Sequence, residues 1–592
     1  MFDLKKDRLN YGALISPPEG YELTKAIGTT YTLDLYALLA IPVALFYAKS
    51  MEGDFTLNRY DILEAIRKSA GKVDVFCQRG KIKVPTKYNN LLALMEDCVT
   101  EIQPPILHSS FHPKLWVLKF ENGENSIYRL IVLSRNLTFD RSWDLSFYSD
   151  GIITNQIQNS SQKLSTFLQG FYIIANKEID KELFTELEKV EFEIPFGFNE
   201  FDIFPIEKFT TKSPSFDNPL DQLKYRKLLV ISPFIDEKTI EKLKKNNKKL
   251  VLISRKEELD KLEVTCLEGI ELYCLNPLVS EAEFIIDSEG DEMMSQNLHA
   301  KLFIGQTADK TDWFLGSANA TAPAFERNVE FLVKISSTEN LKKIKKVVEM
   351  LLNQNESIFQ IYTPQDIKLT AQTDTLEKEI REMAYFLTNQ IFEGEIIKNS
   401  DNENYSLKLL VDLTSVKKND FTVEVRLIHR KEDAELLNFE TINVLIFNNI
   451  SIVNLSSYLI VNIKSKNELK SSFTIKMNID IPDEREDVIF SNLINNKIKL
   501  FEYLQFLLSS DQVTSSLLIK DSNTFNESEM HIMQDVFGKN NSIYESLMIA
   551  ASRSPKKLTE IDRVVNKLEK SGSEILEDFM PIWSVFKEFA HD

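Results

Sequence analysis

Phe111-His112-Pro113-Lys114-Leu115-Trp116-Val117-Leu118 is followed, one apolar run later, by Leu133-Ser134-Arg135-Asn136-Leu137-Thr138. The same order returns as Leu298-His299-Ala300-Lys301-Leu302-Phe303-Ile304 and then Leu315-Gly316-Ser317-Ala318-Asn319-Ala320-Thr321. Each copy has a His and a Lys two apart, an apolar run, and a second apolar run that ends in Ser-x-Asn. The chain has only 6 histidines, and two of them stand in matching frames. In an extended strand, residues two apart share a face. His112 therefore sides with Lys114 and His299 with Lys301, while Pro113 and Ala300 turn away. The runs after each Lys, and the segments 129–133 and 313–315, read as neighbouring buried strands. Ser134 and Asn136, or Ser317 and Asn319, then emerge where the His and Lys can be met.

A cation, an amide and an imidazole converging on one point suit a phosphate: charge and donors hold its oxygens while the imidazole attacks or protonates. Two facing clusters divide the work. One His attacks phosphorus to give a covalent phospho-His; the other protonates the leaving oxygen and then takes a proton from water. Two Lys and two Asn neutralise the five-coordinate transition state, so the expectation is no metal and no other cofactor.

This paired H-x-K…S-x-N pattern resembles the phospholipase D superfamily, which includes lipases, transferases, bacterial endonucleases and tyrosyl-DNA phosphodiesterase. The resemblance covers roughly residues 20–350. It implies an α/β fold of two pseudo-twofold-related lobes, mixed sheets flanked by helices, with catalytic residues His112, Lys114, Asn136, His299, Lys301 and Asn319. It also implies a Glu that orients an imidazole through its other ring nitrogen; Glu330, eleven residues after Asn319, matches that position. In the first copy the corresponding residue is Phe147, flanked by Asp144 and Asp150, of which Asp144 is the favoured acidic partner. Ser134, Ser317 and Asp144 are expected to line the substrate. By analogy His112 is the nucleophile and His299 the general acid. The Asp that lipid-cleaving members carry five residues after the Lys is replaced by Lys119 and Gln306, a departure that resembles the nuclease and tyrosyl-DNA phosphodiesterase branches.

The net charge of −19 argues against a broadly basic nucleic-acid coat, so DNA or RNA must be held in a local cleft or delivered by a partner. Cys77, Cys98, Cys266 and Cys274 show no metal-ligand spacing and read as reduced thiols. The first residues do not form a signal peptide. The most apolar stretch, 35–47, falls short of the ~20 residues that span a bilayer; it reads as a buried helix capped by Asp34, and the expectation is a cytoplasmic protein with no membrane contact.

At 592 residues the chain should hold several domains. The pattern suggests a first lobe over 1–192, a Phe/Pro/Asp/Ser-rich linker over 193–222, and a second lobe over 223–365. A small antiparallel β-sandwich follows over 373–482 and a helical region over 483–592. Residues 340–355 read as one amphipathic helix with a basic, solvated face. The C-terminal part carries no chemical constellation; His429, His531 and His591 are isolated, and the region is expected to bind a partner protein, such as a motor ATPase, or to restrict access to the cleft. The leading function is a nuclease-like phosphodiesterase. A place in a bacterial defence against foreign DNA follows only from the kinds of system that carry such enzymes. The alternatives are an inactive scaffold subunit of a nucleic-acid-processing complex and a phospholipid hydrolase.

Overall fold

The computed structural model describes residues 11–47, 59–123, 125–139, 142–207, 221, 223–276, 297–352, 359–364, 372–399, 404–416, 420–508, 543–553, 556–570, 574–576 and 579–587. The first lobe contains β1 (Glu22–Thr30), β2 (Val73–Gln78), β3 (Val99–Ile102), β4 (Leu115–Asn122), β5 (Asn125–Leu133), β6 (Ser142–Trp143), β7 (Ser146–Ile153) and β8 (Val190–Phe192). All but β6 form one sheet in the order β3-β2-β1-β4-β5-β7-β8. The second lobe contains β9 (Glu200–Ile206), β10 (Lys227–Ile231), β11 (Leu250–Ser254), β12 (Glu271–Leu275), β13 (Asn297–Leu298), β14 (Leu302–Gln306), β15 (Thr311–Gly316), β16 (Glu330–Ser337) and β17 (Phe359–Ile361). Its sheet runs β17-β12-β11-β10-β14-β15-β16-β9.

The central strands correspond pair by pair. β1 is parallel to β2 and antiparallel to β4, just as β10 is parallel to β11 and antiparallel to β14. The mixed α/β, two-lobed architecture expected from the repeated motif is therefore present. The strands are buried on both faces, which is why they read as continuous apolar runs. One apolar layer joins the lobes: Ile27, Phe111, Leu115 and Leu130 of the first lie in the same core as Leu229, Ile231, Leu302 and Val333 of the second. The helix Asn159–Ile174 adds Leu164, Phe167 and Phe171 to it, with the Phe167 ring 5.4 Å from that of Phe331.

Two local expectations differ from what is seen. Residues 200–206, inside the stretch read as a linker, form β9, which pairs antiparallel with β16. Pro205 obscures the strand in the sequence, yet β9 is an edge strand, where a residue without an N–H is tolerated. The helix expected over 340–355 is broken at Lys343, which is extended at φ −69, ψ 144; the long helix is Ile344–Leu352. Gln306 Oε1 accepts the Ile344 N–H at 3.0 Å and turns Ile344 into the core.

The β-sandwich has a three-stranded sheet (Phe392–Lys398, Asn404–Val411, Asn443–Ser451) facing a four-stranded one (Glu435–Leu436, Phe421–Leu427, Tyr458–Ser465, Glu468–Lys476). Phe392, Leu409, Val423, Val461 and Ile475 fill the space between. The helical region is not separate from the first lobe. Leu504, Leu547, Ile561 and Trp583 share a core with Leu38, Leu45, Leu63 and Trp116. The helix Leu35–Tyr47 is apolar all round, and it buries Leu35, Leu38, Ile41 and Leu45 in that shared core. A buried polar knot seals the junction: the Glu96 carboxylate accepts from Ser456 Oγ (2.5 Å), Ser457 N and Oγ (both 3.0 Å) and Arg485 Nη1 (2.9 Å). Among the described residues, no helix is long and apolar enough to cross a membrane. His531 and His591 lie outside the described residues.

Candidate active site

Each His-x-Lys segment is stitched to the opposite lobe by its backbone. The His112 N–H donates to Val329 O at 2.9 Å, and the His299 N–H donates to Trp143 O at 2.9 Å. Phe111 bridges Val329 in parallel, as Leu298 pairs with Trp143. Within each lobe, Ser134 N donates to Leu145 O and Ser134 Oγ accepts from Leu145 N; Ser317 makes the same two bonds with Phe331. Leu145 is therefore the counterpart of Phe331, and Asp144 the counterpart of Glu330. Of the two acidic residues weighed in the sequence, Asp144 is thus the one at the position of Glu330. Asp150 instead forms a two-bond pair with Arg129 on the sheet, at 2.6 and 2.8 Å.

Gly316 has φ +152, and a Cβ there would stand 2.1 Å from Phe331 O. The glycine lets β15 approach β16 closely enough for Ser317 to reach Glu330. The Asn loops are held from below by hydroxyls that the sequence reading did not single out. Thr30 Oγ1 accepts the Leu137 N–H, and Ser232 Oγ accepts the Ala320 N–H, each at 2.9 Å. Gln78 and Arg255, at equivalent strand ends, secure the residues before the two histidines: Gln78 Oε1 accepts from Phe111 N at 2.7 Å, and Arg255 Nη2 donates to Leu298 O at 2.7 Å. These bonds link residues remote in sequence, and only the repeat, once aligned, signals them.

The side chains then converge across the lobes. His112 Nδ1 donates to Glu330 Oε2 at 2.9 Å; the carboxylate, an acceptor only, puts the proton on Nδ1 and leaves Nε2 with its lone pair. Glu330 is fully buried and also accepts from Ser317 Oγ (2.5 Å) and Asn328 Nδ2 (3.3 Å). Asp144, by contrast, is partly exposed and stands 3.4 Å from Arg135 Nε. Lys301 Nζ donates to His299 O at 2.7 Å and to Ser134 O, in the other lobe, at 3.3 Å; Lys114 Nζ donates to His112 O at 3.0 Å. Ser134 and Ser317, expected on the substrate, are buried at 1% and 0% exposure and hold the loops and Glu330 instead. That is the chemistry of a hydroxyl beside a strand edge with unpaired backbone groups.

Burial dominates the electrostatics. It pushes His112 down to about 4 against the pull of Glu330, so the imidazole is neutral near pH 7. It lowers Lys114 well below the usual lysine range, helped by Lys301, and brings Lys301 down to about 7. Burial raises Asp144, while Arg135 and Lys301 oppose. Asn136 and Asn319 each bury an Oδ1 that has no partner. Exchange of amide O and N by a 180° turn presents a donor at the same point. The two buried amide oxygens without a partner stand at matching positions of the two copies. Among the described residues, no group of three or more His, Cys, Asp or Glu is placed to hold a metal ion.

Residues 291–381 match the family model described as Polyphosphate kinase C-terminal domain 2. No curated protein matches the chain. Similar solved structures include a yeast tyrosyl-DNA phosphodiesterase mutant, at 12% identity and TM-score 0.35, covering 55% of this chain and 84% of that one. Polyphosphate kinase from Porphyromonas gingivalis shows 12% identity and TM-score 0.31, over 61% of this chain and 51% of that one. Phosphatidylserine synthase from Haemophilus influenzae shows 11% identity and TM-score 0.32, over 62% and 94%.

Proposed function

We propose that this chain is a metal-independent phosphodiesterase of phospholipase D type that cleaves nucleic-acid phosphodiester bonds through a covalent phospho-histidine. The observation that carries the reading is the 2.9 Å bond from His112 to a fully buried Glu330 of the other lobe. It supports His112 as nucleophile: the ring is neutral and its tautomer leaves Nε2 free to attack. As the N–P bond forms, the P–O bond to the leaving group breaks, and that oxygen takes a proton from the His299 imidazolium. Neutral His299 then removes a proton from water; the resulting P–O bond displaces His112 Nε2, and both imidazoles return to their starting states. Asp144 suits the partner of the acid, since Arg135 draws off part of its negative charge and leaves His299 readier to release its proton. Lys114, Lys301, Asn136 and Asn319 supply the charge and donors that hold the phosphate.

A second reading is favoured by the polyphosphate kinase family model: the same phospho-histidine is passed to a phosphate or nucleotide acceptor instead of water. One experiment tests both. Wild type, His112→Ala and His299→Ala are incubated in chelator with single- and double-stranded DNA, RNA and a dye phosphodiester, with and without acceptor, and quenched in neutral detergent because N–P bonds are acid-labile. We expect cleavage by wild type alone and a covalent adduct only where His112 is present. Loss of cleavage in chelator with the fold intact refutes the metal-independent mechanism; an inert wild type leaves the scaffold alternative.

A further inference from the structure

We infer that two aromatic–cation pairs flanking the phosphate site, Tyr31 with Lys81 and Phe234 with Arg255, stack on the unpaired bases either side of the reacting phosphate, making this a single-strand-selective enzyme. The inference rests on the nucleic-acid phosphodiesterase reading and deepens it. The two rings stand on equivalent loops, those leaving β1 and β10. Each loop is sewn to the Asn loop of its own lobe: Thr30 Oγ1 and Ser232 Oγ join Leu137 N and Ala320 N to Thr32 O and Phe234 O. Tyr31 is in edge contact with the His112 ring at 5.1 Å, with Lys81 and Lys114 ammoniums 5.7 and 5.9 Å from its centroid. Phe234 is 42% exposed, and the Arg255 guanidinium lies 4.7 Å from its centroid.

A half-exposed Phe backed by a guanidinium that is itself pinned to Leu298 O is a rigid stacking platform, with the cation left to meet phosphate charge. Every base has a π-face, and bases paired in a duplex keep theirs covered. Polyphosphate and a lipid headgroup have no planar ring and would gain nothing from these side chains. A strongly acidic protein needs such a local device, because its overall field repels the polyanion. The platforms also break the twofold symmetry: Tyr31 aligns with Pro233, and Phe234 with Thr32. The two sides of the phosphate are thereby read differently, giving the strand a direction.

The test uses the full chain and three substrates of one sequence: a single-stranded oligonucleotide, the same strand with abasic residues at the two positions flanking the cleaved phosphate, and its duplex. We expect kcat/KM to fall tenfold or more on removal of the bases and in the duplex. In Phe234→Leu and in Tyr31→Leu, the penalty for deleting the base on the corresponding side should shrink towards one. Phe234→Leu leaves the Tyr31–His112 ring contact in place, so it separates stacking from a disturbance of His112. Equal wild-type rates on intact and abasic strands, or a preference for duplex, overturn the stacking while cleavage itself upholds the phosphodiesterase reading. Failure to cleave all three sinks that reading, and the inference with it.

Discussion

Replacing Glu330 by Gln keeps the shape of the most buried group in the site and removes its charge. The carboxylate accepts through Oε2 from His112 Nδ1 and Ser317 Oγ, and through Oε1 from Asn328 Nδ2. An amide has one acceptor, so it cannot do all three. With its oxygen towards His112, the NH2 meets the Asn328 NH2, which cannot turn because Asn328 Oδ1 already accepts from Ser110 N at 3.1 Å. With its oxygen towards Asn328, the NH2 meets Nδ1 and forces the proton onto Nε2, where it blocks the attack. The first orientation leaves a donor facing a donor, at a cost of about 1–3 kcal/mol, and the second escapes it only in the unreactive tautomer. Loss of tautomer control in a histidine nucleophile system is comparable to Asp→Asn in a serine triad, about 10⁴ in kcat. We therefore expect Glu330→Gln to lose about 10³–10⁴-fold in single-turnover rate on a dye phosphodiester, with a melting temperature showing a folded chain. Asp144→Asn should lose at most about 10²-fold, the low end for a positioned proton donor, because Arg135 already weakens that carboxylate. A folded Glu330→Gln enzyme within tenfold of wild type, or an Asp144→Asn enzyme that is the worse of the two, would refute the assignment of His112 as nucleophile.

His112 is held at about 4 in the fold against about 6.5 in an unfolded chain, so protonation favours unfolding. Stability should be complete above pH 6.5 and decline by about 3 kcal/mol as pH falls from 6.5 to 4; calorimetric scans should show wild type losing more on acidification than His112→Gln, and parallel losses would contradict this. Lys301, lowered to about 7 by burial, should be recharged by a bound anion. Sulfate, which does not titrate in this range, should bind with proton uptake above pH 7 and weaken up to about tenfold per pH unit; titration calorimetry in two buffers of different ionisation enthalpy reads the proton count, and a zero count at pH 8 rejects the mechanism. Glu96→Ala leaves Arg485 buried at 3% exposure without its anion. We expect a loss of about 3–5 kcal/mol and protease cleavage between the first lobe and the C-terminal region; an unchanged melting temperature would show that the polar knot does not hold them together.

The duplicated frame was open to reading in the linear chain because its signals are local. A His and a Lys two apart share a strand face, and a buried strand is a run of apolar residues. The two copies of that pattern therefore announced the two sheets, the pseudo-symmetry and the residues His112, Lys114, Asn136, His299, Lys301 and Asn319. What no local pattern contains is the partner from the other copy. Glu330 lies beside its own copy's Ser317 yet serves His112, 218 residues earlier, because the lobes dock through a shared apolar layer and exchange the bonds His112 N to Val329 O and His299 N to Trp143 O. Packing within each lobe likewise put Asp144 at the place of Glu330 in a shifted register, turned Ser134 and Ser317 inward, and claimed Pro-containing residues 200–206 as an edge strand. Periodicity reports which face of an element is buried; only packing decides what it is buried against.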